Sequence, residues 1–459
     1  MKRTAVLDVV GLTSPLVARM PRLRQFAATR EMRSIVPAFP AVTCTAQSTY
    51  LTGLAPAEHG IVGNGWYDRD LAEVHFWKQS NHLVHGRKLW EELHEQIPGF
   101  TCAKLFWWYN MYSSADYSIT PRPMYPADGR KIFDVYTAPF DIRFEIKKDL
   151  GEFPFPSFWG PGADIKSSRW IADSAKWIEE RYQPTLSLVY LPHLDYNLQK
   201  IGPNDPAIQT DLEQLDDLLV DLIAFFEQRE IQVVILSEYG ITPVDTPIAI
   251  NRILRQHGWI AIKDELGLEM VDCGASRAFA VADHQVAHIY LNDQSLHDEV
   301  RAVLEQEPGI ETVATREQQA PLGINHSRAG DLVAIADERS WFTYYYWLND
   351  AVAPDFARTV DIHRKIGYDP AELFSDPAIK FPAARVAGFL LKKKLNVRGL
   401  LEVIPLDATL VKGSHGRLPE KAEDRPVLIC DRAAAESLEE NTAAGIHGLL
   451  RRICLENNG

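Results

Sequence analysis

Seven nearly unbroken apolar runs punctuate the chain: Ala5–Val10, Thr101–Phe106, Leu186–Leu191, Val233–Ser237, Val286–Leu291, Leu332–Ala336 and Val427–Cys430. A strand that is apolar at every position, rather than at alternate ones, is covered on both faces. Between these runs lie segments with apolar residues three and four apart, the period of an amphipathic helix. The clearest, DLEQLDDLLVDLIAFFEQRE over Asp211–Glu230, leads straight into QVVILS, so a helix feeds a buried strand there. Alternation of this kind predicts an α/β fold, a mostly parallel central sheet sandwiched by helices, over residues 1–459 as one domain. Two stretches break the rhythm. Residues 110–165 are rich in Pro, Tyr, Phe and Asp, and residues 337–405 hold the aromatic run WFTYYYW followed by DIHRKIGYDP. Both are expected to be insertions that shape a pocket above the sheet, the second as a small cap.

Composition narrows the function classes. With 46% apolar and 24% charged residues the chain is an ordinary globular one, and its formal net charge of −14 argues against a broad basic surface for a nucleic acid polymer. The five cysteines are scattered, with no C-x-x-C, and read as free thiols of a reducing compartment. The basic start MKRTAVLDVVGL imitates a signal peptide, but Asp8 interrupts the apolar run and no small-residue cleavage site follows. No apolar stretch reaches the roughly 18 residues of a membrane span. The expected setting is cytoplasmic, without a membrane partner; the oligomeric state is not legible.

Ligands of wound α/β sheets collect beyond the carboxyl ends of the strands. The polar residues just after the apolar runs are therefore the informative ones. Asp8 ends the first run, and Thr43 precedes a helix in PAFPAVTCTAQSTYLTGLAPAEHG. His193 and Asp195 follow SLVYL, Glu238 and Tyr239 follow VVILS, and His415 stands in GSHGR. Taken singly, each has a plain structural explanation, since a strand-end Asp caps helices and a buried His satisfies carbonyls. Together, carboxylates and imidazoles at several strand ends are what a divalent-metal phosphate site needs.

The order of these motifs resembles the type I phosphodiesterase and nucleotide pyrophosphatase family of the alkaline phosphatase superfamily, to which phosphonoacetate hydrolase is related. The strongest match is PAFPAVTCTAQSTYLTGLAPAEHGIVGNGWYD, Pro37 to Asp68. Spacing from Pro40 on one side and from Thr52-Gly53-Leu54 on the other places the family's nucleophilic Thr at Thr43. Further matches are Asp8 in VLDVVGL, Asp195 with Lys200-Ile201-Gly202-Pro203, Ser237 to Ile241, and Gly413-Ser414-His415-Gly416. The resemblance implies an alkaline-phosphatase-like fold and two divalent metal ions, Zn²⁺ first and Mn²⁺ or Mg²⁺ as alternatives. One ion would be held by Asp8, Thr43 and the pair Glu238-Tyr239, the other by Asp195, Gln199 and His415. The implied reaction cleaves a phosphodiester, pyrophosphate or phosphomonoester bond of a small molecule through a phospho-threonine at Thr43. Coordination to a metal would lower the pKa of an otherwise poor hydroxyl nucleophile.

Two family histidines are absent. Ser-Asp-His-Gly is here Ser237-Glu238-Tyr239-Gly240, and Asp-x-x-x-His ends in Gln199. The family's phosphoryl-contacting Asn, three residues past the nucleophile, is Ala46. Three explanations stand open. Other histidines (His193, His284 in ADHQVAH, His363 in DIHRK) replace the lost ones, or the site is oxygen-rich and suits Mn²⁺ or Mg²⁺, or one metal is lost and the protein is a weak catalyst or a phosphate-ligand binder. Asn64, Arg328 and Arg364 are candidate substrate contacts, and His288 is read as packing. A carbon–phosphorus (phosphonate) hydrolase would use the same residues. A sulfatase is rejected, because Gln47 and Ser48 stand where its signature has Ser and Arg.

Overall fold

The computed structural model describes residues 2–456 apart from 129, 396, 398, 437 and 439. Five of the seven apolar runs enter one eight-stranded sheet. Its strands in chain order are β1 (Thr4–Val9), β2 (Glu31–Ser34), β3 (Cys102–Leu105), β4 (Tyr117–Pro121), β5 (Val135–Ala138), β6 (Leu186–Leu191), β7 (Gln232–Leu236) and β8 (Val427–Cys430). They lie in the order β2-β8-β7-β1-β6-β3-β4-β5. The five from β7 to β4 run parallel, while β8 pairs antiparallel with β7, and β5 with β4. The two central strands, β1 and β6, are buried at every position, which is why they read as unbroken apolar runs.

The long amphipathic helix spans Ile208–Glu227, three residues earlier than its periodicity suggested. Its C-terminus is set by a closing bond from the Ile231 amide to the Phe226 carbonyl, with Glu230 left-handed at φ 57°, so the chain turns before Gln232 begins β7. Its buried Leu212, Leu215, Leu219, Leu222 and Phe226 recur three and four apart, and each contributes about 1.5–3 kcal/mol by leaving water.

Two expectations change. The runs Val286–Leu291 and Leu332–Ala336 do not join the parallel sheet; with Ala278–Asp283 and Ile310–Ala314 they form a separate antiparallel sheet of four. An unbroken apolar run reports burial on both faces, and a second core packed around Phe279, Tyr290, Tyr344 and Trp347 provides it without parallel pairing. Residues 110–165, in turn, supply β4 and the edge strand β5 as well as pocket walls. All five cysteines are buried and free. Among the described residues no helix is long and apolar enough to cross a membrane.

One close approach joins these layers. Gly413, in the short strand Gly413–Ser414, lies against the helix His193–Ile201; a Cβ there would stand 2.1 Å from the Leu198 carbonyl oxygen. Only glycine lets His415, two residues on, reach the sheet's carboxyl end. Gly413→Ala is expected to destabilise the fold by about 1–3 kcal/mol in urea unfolding, because backbone must shift to admit one methyl group.

Candidate active site

The site is built from chain turns that all open at the same end of the central sheet. Asp8 is the penultimate residue of β1, flanked across the ladder by Tyr190 of β6 and Leu236 of β7. Glu238 and Tyr239 come immediately after β7, and Asp195 lies in the first turn of the helix that follows β6. Thr43 is the first residue of helix α1 (Thr43–Thr52), entered from an extended Val42. That helix is buried throughout, so its hydroxyls need internal partners. Thr49 and Thr52 donate back to the Thr45 and Ser48 carbonyls, at 2.9 and 2.7 Å, and Thr45 donates to the Ile61 carbonyl. Those hydroxyls are thereby committed, and Thr43 is the one whose side chain lines the large cavity.

Hydrogen bonds order the group. Tyr239 Oη lies 3.1 Å from Thr43 Oγ1 and donates to Asp195 Oδ1 at 3.1 Å. A phenol has one proton; given to Asp195, it leaves Tyr239 Oη to accept from Thr43, so the Thr43 lone pairs are free. Gln199, four residues after Asp195 and on the same helical face, donates to Asp195 Oδ2 at 2.9 Å and accepts from Tyr368 Oη at 2.8 Å. Gln47, four residues after Thr43, donates to Glu238 Oε1 at 2.6 Å and Asp8 Oδ2 at 3.3 Å.

Two imidazoles complete the floor. His415 Nδ1 donates to the Ala41 carbonyl at 2.7 Å, which leaves Nε2 with the lone pair, 4.0 Å from Asp195 Oδ1. His284 occupies the turn of the hairpin Ala278–Asp283/Val286–Leu291 with φ 61°, and its Nδ1 donates to Asp283 Oδ1 at 2.8 Å. Both rings are neutral, because burial pushes their pKa values well below the usual histidine range. They stack in one column, Tyr368 on His284 at 3.7 Å, His284 on His415 at 3.8 Å and His415 on Tyr239 at 3.6 Å.

The electrostatics are one-sided. Asp8, Asp195, Glu238 and Asp283 are all buried, and among the described residues no Lys or Arg pairs with any of them. Burial raises the pKa of all four; Asp195 is pushed up to about 7, and Asp8 is lifted further by the Glu238 charge beside it. Asp8 Oδ1, Glu238 Oε2, His284 Nε2 and His415 Nε2 are buried with no hydrogen-bond partner. Buried acceptors left open beside unpaired carboxylates fit a divalent cation. Among the described residues, however, no three His, Cys, Asp or Glu side chains are grouped closely enough to grip an ion as they stand. The Gln47 amide lies between Asp8 and Glu238, and Tyr239 between Thr43 and Asp195.

Other candidates fall elsewhere. His193 is turned to Asp211, with Nε2 3.3 Å from its Oδ1, since two residues from Asp195 is the opposite side of a helix. His363 lines the cavity higher up, with Nδ1 3.2 Å from the Phe76 carbonyl. Arg328 donates to the Gly60 and Leu83 carbonyls at 2.9 and 2.7 Å, and Arg364 pairs with Asp355 at 3.1 Å; neither lines the cavity. Asn64 does line it, accepting from the Cys44 amide and donating to Asp283. His288 packs, bonded to the Val62 carbonyl. Three residues passed unnoticed in the sequence. Gln47 could have been found by its i+4 spacing from Thr43 and Asp283 by its adjacency to His284, while nothing local singles out Tyr368.

Comparison with known proteins agrees. The sequence model of the family described as type I phosphodiesterase / nucleotide pyrophosphatase matches residues 4–369. An uncharacterised pyrophosphatase/phosphodiesterase of Schizosaccharomyces pombe is 24% identical over 221 residues, 46% of this chain and only 38% of the length of that curated relative. Among solved structures, murine ectonucleotide pyrophosphatase / phosphodiesterase 5, an inactive variant in complex with AMP, aligns with TM-score 0.60 at 14% identity, covering 99% of this chain and 95% of that one. Phosphonoacetate hydrolase from Sinorhizobium meliloti 1021, in complex with phosphonoformate, aligns with TM-score 0.60 at 14% identity over 98% and 95% of the two chains. The fold is thus alkaline-phosphatase-like.

A carboxyl held above its usual range binds its proton more tightly in the fold than in the unfolded chain. Stability is then complete below the unfolded value and falls as pH rises through the folded one. For Asp195, 3.8 unfolded and about 7 folded, the metal-free protein is expected to lose on the order of 4 kcal/mol between pH 4 and 8. Urea unfolding in a chelator checks this, and Asp195→Asn should make the pH dependence shallower, with Asp8, Glu238 and Asp283 keeping the remainder.

Proposed function

The chain belongs to the type I phosphodiesterase / nucleotide pyrophosphatase family, and we propose that it is a metal-dependent phosphohydrolase that cleaves a small-molecule phosphoester through a phospho-threonine at Thr43. The observation that carries this reading is the Thr43 hydroxyl, at a helix N-terminus on the cavity floor, 3.1 Å from the Tyr239 hydroxyl.

Asp8, Glu238 and Thr43 would hold one divalent ion; Asp195, His415 and His284 would hold the other, with Gln199 and Tyr239 supporting Asp195. When bound, the ions supply positive charge to the phosphoryl oxygens and lower the pKa of the Thr43 hydroxyl. His284 takes the part of a missing family histidine: Asp283 fixes its tautomer, as a carboxylate does for a metal-binding imidazole, and leaves Nε2 as the donor atom. A strained φ at that residue accords with a position kept for chemistry.

In the first step the Thr43 Oγ–phosphorus bond forms, the bond from phosphorus to the leaving alkoxide breaks, and the hydroxyl proton passes to Tyr239 Oη as the phenol's own proton passes to Asp195 Oδ1. Positioning and charge stabilisation dominate such transfers. In the second, water cleaves the Thr43–phosphorus bond, restoring the hydroxyl and releasing the phosphate product. Gln47 would hold Asp8 and Glu238 in place through both steps.

Turnover of bis-p-nitrophenyl phosphate with added Zn²⁺ or Mn²⁺ is expected to fall at least 1,000-fold in Thr43→Ala, on the scale of losing a covalent nucleophile. Acid-quenched parent enzyme should carry the phosphoryl adduct on the peptide containing Thr43, read by mass spectrometry. Unimpaired turnover by Thr43→Ala would overturn the reading. His284→Ala should lower activity about 100-fold and weaken metal retention, whereas His193→Ala should do neither.

A further inference from the structure

The charge pattern of the chain has one sharp break. Residues 377–401 hold six Lys or Arg and no Asp or Glu, in a protein whose formal net charge is −14. The run coincides with the helix Pro382–Lys394 of the second insertion. Arg385 pairs with Glu402 at 3.2 Å, whereas Lys392 and Lys394 make no ion pair among the described residues.

That helix has two apolar stripes. Val386 and Phe389 turn inward and line the cavity. Leu391 and Leu395 turn outward: they line no part of the cavity and are 59% and 65% exposed. With Ala384 and Gly388 they recur four, three and four apart, along one helical face. Phe381, just before the helix, is 75% exposed and also stands outside the cavity lining. Successive residues turn by about 100° around a helix axis. Lys392, one step after Leu391, and Lys394, one step before Leu395, therefore stand on opposite flanks of the outer stripe.

An apolar stripe between cations is the build of a helix that lies in a membrane interface. Its apolar residues enter the boundary between headgroups and acyl chains, and flanking lysines reach up to the phosphates. Four to eight Lys or Arg on such a helix is roughly the range that recognises anionic lipid. The acidic remainder of the protein does not cancel this attraction, since at about 0.1 M salt charges more than about 10 Å apart are largely screened. A second copy of this chain is a poorer occupant, because a symmetric contact would set the two cationic flanks against each other.

We propose that the helix Pro382–Lys394 docks the protein on an anionic lipid bilayer, as a peripheral contact that needs no spanning segment. The contact is independent of the reaction at Thr43, and its test requires no turnover.

The full chain is co-sedimented with vesicles in a chelator, which keeps divalent ions from bridging protein to lipid. Vesicles of phosphatidylcholine alone are compared with vesicles of equal parts phosphatidylcholine and phosphatidylglycerol. Binding to the anionic vesicles is expected to exceed binding to the neutral ones at least tenfold, and to fall at least tenfold as salt rises from about 0.1 to 1 M. Each cation near an anionic surface is worth about fivefold in partitioning. Lys392→Glu with Lys394→Glu should therefore weaken binding at least 25-fold. Leu391→Asp with Leu395→Asp should weaken it at least tenfold, with circular dichroism of both variants matching the parent. The same charge reversal outside the run, Lys263→Glu with Arg301→Glu, should leave binding within about twofold. Absence of binding to anionic vesicles, equal binding to neutral ones, or as large a loss on reversal of Lys263 and Arg301 would overturn the proposal. So would a dimer in analytical ultracentrifugation that Leu391→Asp with Leu395→Asp dissociates while vesicle binding is untouched, because the stripe would then belong to a second copy of this chain.

Discussion

Four buried carboxylates, with no Lys or Arg paired to them among the described residues, are the constraint around which this fold is arranged. Asp8, Asp195, Glu238 and Asp283 are each less than a tenth exposed. Removing an isolated carboxylate from water costs several kcal/mol even after relaxation, so the chain has to lower that cost locally. It does so with neutral donors: the Gln47 amide spans Asp8 and Glu238, Gln199 and Tyr239 bond Asp195, and Asn64 bonds Asp283 through backbone and side chain. Neutral donors reduce the penalty without cancelling the charge. What remains is an unbalanced negative floor that favours protons at low pH and a cation otherwise, and in the proposed reaction that imbalance is what brings positive charge to a phosphoryl group.

The two histidines answer the same constraint from the other side. A protonated imidazole would neutralise one carboxylate, yet burial holds His284 and His415 neutral, and each spends its one N–H on an outer partner, Asp283 Oδ1 and the Ala41 carbonyl. Both Nε2 lone pairs are thereby kept available. His284 reaches the floor from the turn of an antiparallel hairpin, a structure outside the main sheet. Tyr239, after the seventh strand, stands where the family resemblance led to a histidine being expected, and it links Thr43 and Asp195 by hydrogen bonds.

How much of this could be read from sequence depended on whether the signal was local. The parallel core was legible, because β1 and β6 are buried on both faces and show it in every residue. That Asp8, Thr43, Asp195, Glu238 and His415 come together at one end of the sheet was legible too, since strand ends and spacing mark them. The assignment of Val286–Leu291 and Leu332–Ala336 to the central sheet failed, because hydrophobicity reports burial and not the identity of the partner strand. His193 misled for the opposite reason: adjacency in sequence to Asp195 implies nearness, but helical rotation sends it to Asp211. Arg328 and Arg364 were chosen for charge, and found carbonyls and a surface carboxylate instead. Tyr368 had no local mark at all, for its role exists only once the cap segment folds back over Gln199.

That fold-back ties the cap to the chemistry. Lys365 is buried between Asp369 and Glu372, at 2.7 and 2.6 Å, and Glu372 also accepts from the Trp159 indole at 2.5 Å. A buried triad of this kind is strongly directional, since removing Lys365 would leave two carboxylates uncompensated in a low-dielectric setting. It fixes the segment that carries Tyr368, and Tyr368 in turn stacks on His284 and donates to Gln199. The column of rings then continues through His415 to Tyr239, beside Thr43. A shift of the cap's root would therefore be felt at the hydroxyl by contact. Close-packed rings at 3.6–3.8 Å have no slack in which to absorb it. The wall that surrounds a bound molecule and the floor that would act on it are in this sense one packed unit.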